Sequence, residues 1–376
     1  MRVLLAGGTG SFGRAFAEAI LTDEPRLERL IVVSRDEVKQ AEMREALGPD
    51  PRLRFLLGDV RDRERLALAM HGCDVVVNAA ALKRVDSCAY SPTEALDTNV
   101  GGTRHVLEAA LSAGVGRVLV LSSDKSVEVA GNLYGATKAM AEALSVAWNA
   151  VSYPRGLRVA CLRYGNVLGS RGSVVHTFRQ AIAAGRPLQI TDPSATRFWL
   201  EMGEAVALAR WALDAMRGGE VFVPALSSAT MGDFAAAVIA ESGKGDWPVE
   251  SVGFRPGGEK RHEVLLSRHE SARTVEIKEV MPWPLWAVEP DFRTWTTGRP
   301  AWAGPPAPES WESDRAPHLS QERLRQRDAL GLAQVLADAG LTYNSGYTAE
   351  IIKRNVAIEA MIRGDVQAVG MNLTHL

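Results

Sequence analysis

The chain has 376 residues, 46% hydrophobic and 23% charged, the balance of a globular protein with one large domain or a domain and a smaller lobe; disorder and fibres are excluded. Lys plus Arg number 43 against 45 Asp plus Glu, and a net charge of −2 leaves no electrostatic footprint for nucleic acid or an anionic membrane. No stretch approaches the ~20 apolar residues of a membrane helix, and residues 2–6 run into glycines instead of an apolar leader, so a protein neither exported nor embedded is expected.

RVLLA (2–6) is predicted as the first strand, followed by Gly7-Gly8-Thr9-Gly10-Ser11-Phe12-Gly13 and a helix with Phe12, Phe16 and Ile20 on one face. Gly7, Gly10 and Gly13 make a G-x-x-G-x-x-G turn between strand and helix. Gly7 permits the tight turn, Gly10 lets backbone approach a pyrophosphate, Gly13 lets helix and strand pack, and the helix N-terminus faces the anion. Thr9, Ser11 and Phe12 belong to the same dinucleotide site. RLIVV (29–33) is the second strand, and where a carboxylate would grip the ribose of NAD it is followed by Ser34 and Arg35. An Arg there favours a 2′-phosphate, hence NADP, with NAD as the alternative. After the third strand, LRFLL (53–57), Asp59 and Val60 are placed to meet the adenine; after the fourth, CDVVVN (73–78), Ala79, Ala80 and Ala81 keep small side chains beside the dinucleotide.

RVLVLSS (117–123), the fifth strand, ends in Ser122-Ser123-Asp124-Lys125, and a helix begins near Tyr134-Gly135-Ala136-Thr137-Lys138. Tyr134 and Lys138, at i and i+4, share a helix face, so the ammonium can lower the phenol's pKa and make it a proton acceptor near neutral pH. LRVACLR (157–163) is a sixth strand; then come loops at 165–172 and 192–197, a helix near 202–217, a strand at 221–224 and a helix near 231–242. Strands alternating with helices predict an α/β fold, a doubly wound parallel sheet, with a smaller substrate-binding lobe. The division expected is 1–165 for the dinucleotide domain, 166–281 for the lobe, 282–317 for an extended segment and 318–376 for a helical C-terminal extension. Five of the nine Trp and eight of the 18 Pro fall within 282–317, which excludes regular helix and predicts a segment pinned on the protein or a neighbouring subunit. Cys73, Cys88 and Cys161 lack C-x-x-C spacing and suggest neither disulfide framework nor zinc site, and His176 and His262 have no metal-ligand pattern; a reducing cytoplasm is the expected compartment.

The segments GGTGSFG (7–13), SRDEVKQAEM (34–43), GDVRD (58–62), NAAALKRV (78–85), TNVGGT (98–103), SSDKS (122–126), NLYGATK (132–138), RYGNVLGSRGSVV (163–175), ITDPSATRFW (190–199) and FRPGGEKRHE (254–263) carry a resemblance. Together they make residues 1 to about 275 similar to extended short-chain dehydrogenases/reductases with a Rossmann fold, most of all to the inverting UDP-N-acetylglucosamine 4,6-dehydratases. The resemblance implies that Tyr134 takes the C4 hydroxyl proton, Ser123 bonds that oxygen, and Lys138 supports Tyr134 and the nicotinamide ribose. It gives Asp124 the leaving hydroxyl and Lys125 the proton at C5, while hydride removed from C4 returns to C6. Lys83 and Asn99 are implied beside the cofactor, and Lys83, Asn166, Arg171, Ser173, Val174, Arg197, Arg255 and Glu259 at a UDP-sugar. Helices at 94–112 and 134–150 are the superfamily's dimer surface, implying a homo-oligomer.

Two segments depart from the family pattern. Ser126–Gly131 replaces a shorter Pro-containing loop, and Gly257-Gly258 adds a glycine to R-P-G-E-K. The alternatives are a 5,6-dehydratase that leaves an exocyclic alkene, a nucleotide-sugar 4-epimerase with no use for Asp124 and Lys125, and an NADP-sensing scaffold. The Trp/Pro cluster, beyond the resemblance, is read as an appendage outside the enzyme's core.

Overall fold

A computed structural model describes residues 1–129, 131–254, 258–277, 284–290 and 300–319. The first half lays down β1 (Arg2–Ala6), α1 (Ser11–Asp23), β2 (Arg29–Ser34), α2 (Glu37–Leu47), β3 (Leu53–Leu57), α3 (Arg63–Ala69) and β4 (Val75–Asn78). Then follow α4 (Val85–Tyr90), α5 (Pro92–Leu96), α6 (Gly102–Ser112), β5 (Arg117–Leu121), α7 (Leu133–Ser152) and β6 (Arg158–Leu162). The second half supplies β7 (Asn166–Val167), α8 (Val174–Ala183), β8 (Leu188–Ile190), β9 (Thr196–Leu200), α9 (Met202–Ala215), β10 (Val221–Pro224), β11 (Ser228–Thr230) and α10 (Met231–Glu241). Last are β12 (Val249–Ser251), β13 (Val264–Leu266), α11 (Arg268–Ser271), β14 (Thr274–Ile277), β15 (Leu285–Val288), β16 (Ala303–Pro306) and β17 (Trp311–Glu312).

The central sheet has the order β16-β14-β15-β10-β6-β5-β4-β1-β2-β3. Every pair from β10 through β3 is parallel, as predicted, and the strands read as continuous apolar runs because helices cover both faces. The order reverses between β1 and β4, so the crevice above their carboxyl ends is where such a sheet binds its ligand. A second apolar cluster gathers around Trp199, whose ring stacks on Phe234 with centroids 4.3 Å apart. Among the described residues no helix is long and apolar enough to cross a membrane.

The Trp/Pro segment corrects one expectation. It is pinned down, but as part of the main core: β15 is inserted antiparallel between β10 and β14, with Trp286 only 3% exposed. Trp302 packs edge-on against Phe222 and Trp211, and its indole donates to the Ala215 carbonyl at 3.1 Å. Trp311 meets Trp286 and donates to the Leu226 carbonyl at 3.0 Å. Indole area too large to leave wet, together with an N–H that needs a partner, draws the segment inward. Its strands are short and bounded by proline, hence silent in periodicity. Trp283 and Trp295, and the helices expected at 320–340 and 348–363, lie outside the described residues.

Candidate active site

The glycine turn has the shape a dinucleotide needs. Gly7 takes φ 73° and lies so near β4 that a Cβ there would stand 2.7 Å from the Ala80 backbone; one at Gly13 would stand 2.3 Å from the Gly8 carbonyl. The Gly10 N–H donates to the Gly7 carbonyl at 3.0 Å, and α1 starts with neither a side-chain cap nor an acidic residue, leaving its N–H groups directed at the crevice. Phe12 is buried and stacks on Phe16, Thr9 is buried, and Ser11 Oγ accepts from the Arg171 N–H at 2.9 Å. Ala79 is tied to β1 through the Ala6 carbonyl, and Ala80 and Ala81 follow it along the crevice. The cradle is one that any added Cβ would fill, and it fits a dinucleotide phosphate bridge.

At the end of β2, Ser34 is buried and accepts from Gln40, while the half-exposed Arg35 guanidinium lies 3.5 Å from Asp59. Arg61, which sequence reasoning missed, binds the same carboxylate at 2.7 and 3.0 Å. Burial works against that carboxylate, but Arg61 and Arg35 outweigh it and hold Asp59 below the usual range. Val60 is buried against Gly102.

The candidate catalytic cluster forms where β5 frays. Ser122 and Asp124 reach across to the Leu162 and Tyr164 carbonyls, and Asp124–Ser126 makes one 3-10 turn. Ser123 Oγ donates to Asp124 Oδ1 at 2.9 Å, and Lys125 Nζ donates to the same oxygen at 3.0 Å and to Asn166 Oδ1 at 3.1 Å. Asp124 is fully buried and its Oδ2 has no hydrogen-bond partner among the described residues. Burial raises the Asp124 pKa, against the pull of Lys125 and with help from a second carboxylate, Glu263. Burial also opposes the Lys125 ammonium, yet Asp124 and Glu263 hold it protonated above its ordinary range.

Tyr134 and Lys138 share the buried face of α7, as their spacing predicts. The expectation that Lys138 lowers the phenol's pKa is corrected. Burial raises Tyr134, and the charge drawing it back is that of Lys125, while Lys138 donates to the Leu121 carbonyl and is itself lowered by burial. The cause is how closely α7 meets the Asp124–Ser126 turn: a Cβ on Gly135 would stand 2.3 Å from the Lys125 carbonyl. That close approach is the physical content of the glycine in Y-G-x-x-K.

Asn99 sits in a π-helical turn (Asp97–Gly101) and is spent on the protein itself. Its side chain accepts from Leu82 N–H at 2.8 Å and donates to Thr137 Oγ1 at 2.9 Å, fastening the loop after β4 to α7. Lys83 Nζ reaches the Arg171 carbonyl at 2.8 Å, so the 166–173 segment is held over the glycine turn. Ser173 and Val174 open α8 beside it, the Ser173 hydroxyl buried without a partner among the described residues. Arg197 is buried and pairs with Glu259 at 3.0 Å, so these two expected sugar contacts bind each other. Arg255 lies outside the described residues.

Beneath the turn lies a buried clamp. Arg163 reaches both carboxylate oxygens of Glu142 and pairs with Glu270 at 2.6 Å, while Ser126 Oγ donates to the Ser123 carbonyl at 2.6 Å and lies 3.3 Å from a Glu142 oxygen. An Arg closing an otherwise apolar strand was its only sequence signal.

Comparison with known proteins agrees with this architecture. The family described as polysaccharide biosynthesis protein matches residues 3–284. A UDP-N-acetylglucosamine 4,6-dehydratase (inverting) of Campylobacter jejuni is 38% identical over 77% of this chain and 83% of its own length. A UDP-glucose 4-epimerase of Rickettsia felis is 40% identical over 73% of this chain and 80% of its own. Among solved structures, Pen from Bacillus thuringiensis superposes with a TM-score of 0.79 at 31% identity, covering 87% of this chain and 97% of that one. DesIV, a dTDP-glucose 4,6-dehydratase from Streptomyces venezuelae solved with NAD, gives 0.61 at 27% identity over 69% of this chain and 86% of its own. The sequence match and the shared Rossmann sheet together make this chain a member of the polysaccharide biosynthesis protein family, built on the short-chain dehydrogenase/reductase fold.

Proposed function

We propose that this chain is an NADP-dependent UDP-N-acetylglucosamine 4,6-dehydratase that inverts C5 and yields a 4-keto-6-deoxy sugar. One observation carries the reading: a fully buried carboxyl, raised by burial and carrying an oxygen with no partner among the described residues, touches an ammonium at 3.0 Å beside Tyr134. Epimerisation at C4 needs only a proton acceptor at the C4 oxygen, whereas elimination across C5–C6 needs an acid for the leaving hydroxyl and a base for C5. Relatives named epimerase match the same stretch, and the pair is what supports the dehydratase reading over theirs.

The glycine cradle, Ser34, Arg35 and Lys138 would hold the nicotinamide dinucleotide, which supplies the acceptor and donor of hydride. Tyr134 takes the C4 hydroxyl proton with Ser123 bonded to that oxygen. A ketone at C4 then makes C5–H acidic. With Asp124 carrying its proton, the amine form of Lys125 removes the C5 proton as Asp124 protonates the departing hydroxyl, which leaves as water. Lys125, again an ammonium, returns a proton to C5 on the other face. Arg35 beside the ribose position favours NADP over NAD. Loss of one water from UDP-N-acetylglucosamine, followed by mass spectrometry, tests the reading, and an unchanged mass across a panel of nucleotide sugars overturns it. Deuterium at C4 separates the endpoints: label at C6 supports the full dehydratase, and label retained at C4 supports the exocyclic alkene.

A further inference from the structure

We infer that Glu263 is a positioning residue for the Asp124–Lys125 pair, the fixed counter-ion against which Lys125 is seated. The inference rests on the reading of that pair given above. Glu263 is 2% exposed, and its Oε1 lies 3.5 Å from Lys125 Nζ. Its other oxygen faces Lys260 Nζ at 3.0 Å, and Lys260 in turn donates to the Val127 carbonyl at 2.8 Å, on the loop leaving the catalytic turn. The backbone of Glu263 is clamped on both sides by one residue of the Trp/Pro segment. Its N–H donates to Ser313 Oγ at 2.8 Å and its carbonyl accepts from the Ser313 N–H at 2.9 Å. Ser313 Oγ is locked in turn to Thr196 Oγ1 at 2.6 Å, which contacts His262 Nδ1 at 2.9 Å. Ser313 lies beyond the family match, so a residue outside the matched stretch sets a charge inside the site.

A buried Asp–Lys pair on its own settles as an ion pair, because protonating the carboxylate strands the cation without a partner. A second carboxylate removes that obstacle. With Glu263 neutralising Lys125, Asp124 can carry a proton and Lys125 can remain an ammonium at the same time. The charged groups facing Glu263 are Lys125, Lys260 and Arg197, with Asp124 across Lys125 and Tyr134 facing Lys125 from α7. Lys125, Lys260 and Arg197 overcome the burial of Glu263 and hold it at about 2, so it stays anionic throughout the working range. Its charge raises both Asp124 and Lys125; its removal lowers both.

Trace acetylation of the full chain with acetic anhydride at pH 8, read on the chymotryptic peptide bearing Lys125 against Lys39 as internal reference, reports the amine fraction without needing turnover. Glu263→Gln should raise Lys125 labelling about tenfold, the gain in free amine when the ammonium becomes ten times more acidic, while Glu263→Asp stays near the parent. Lys260→Met, which frees Glu263 to act more fully on Lys125, should lower it. The pH–rate profile of Glu263→Gln should move toward acid by about one on the pH scale. Unchanged labelling in a folded Glu263→Gln variant, judged by circular dichroism, overturns the inference; if that variant does not fold, unchanged labelling in Lys260→Met does so. A parent chain that releases no water from UDP-N-acetylglucosamine overturns the proposed reaction, and the labelling still decides on Glu263.

Discussion

Asp124 is fully buried and one of its oxygens has no partner among the described residues, so burial favours its protonated form and leaves that oxygen open to a group that enters the site. Because its folded pKa is raised, chiefly by burial, the acid form is lost as pH climbs through that value, and turnover should fall on the alkaline side. Asp124→Asn should cut kcat by roughly 10²–10⁴-fold, the range for a general acid, while C4 oxidation persists as nicotinamide absorbance on mixing with substrate. Tyr134→Phe should lose both the absorbance change and turnover yet still bind the dinucleotide; full activity in that variant would overturn the assignment of Tyr134. That Tyr134 and Lys138 share one face, and that Ser123, Asp124 and Lys125 share one turn, was legible in the sequence because each group lies within a turn or so of chain, where spacing alone fixes the neighbourhood. Glu263 and Arg61 could not. What gives them meaning is a partner brought in by the fold, and in sequence they are two charged residues among many.

At the scale of elements, the site is a junction of β5, β6 and α7, and two features set its spacing. Gly135 lets α7 touch the catalytic turn, so Gly135→Ala forces a Cβ to within 2.3 Å of the Lys125 carbonyl and must push the turn or the helix aside. Displacements on the order of 1 Å cost about 10²-fold in rate, so kcat should fall by that much with a smaller change in melting temperature. The second feature is the Arg163 clamp with Glu142 and Glu270, which joins β6, α7 and α11. Burial disfavours ionised Glu270, but Arg163 brings it down to about 2, so its stabilisation is complete above its unfolded pKa and is lost as pH falls toward 2. Denaturant titrations at pH 6 and pH 2 should differ by roughly 3 kcal/mol from this carboxylate alone. The parallel strands β1–β6 and β10 were legible to within a residue or two because strands covered on both faces read as unbroken apolar runs, whereas the short strands of the lobe and of the Trp/Pro segment were not. Asn99's π-turn was not, since a helix one residue wider leaves the apolar periodicity nearly intact.

Over the whole molecule, the Trp/Pro segment completes the sheet and, among its described residues, reaches Glu263 through Ser313. Trp302 and Trp311 both pack, partly buried, against the main core, so replacing either by Ala should cost on the order of 2–3 kcal/mol, below the value for a fully buried indole and seen as a lower denaturant midpoint. Their effects on catalysis should differ, because the two indoles anchor different stretches. Trp302 is fixed at the end of α9 through the Ala215 carbonyl, away from the charge array. Trp311 begins β17, which pairs with β13 and carries Ser313 to Glu263 two residues further on. Trp302→Ala should therefore leave the pH–rate profile in place, whereas Trp311→Ala, and Ser313→Ala without the loss of packing, should shift it toward acid as Glu263 loosens. Superimposable profiles for the parent, Trp311→Ala and Ser313→Ala would show that the segment braces the sheet and has no bearing on the proton chemistry.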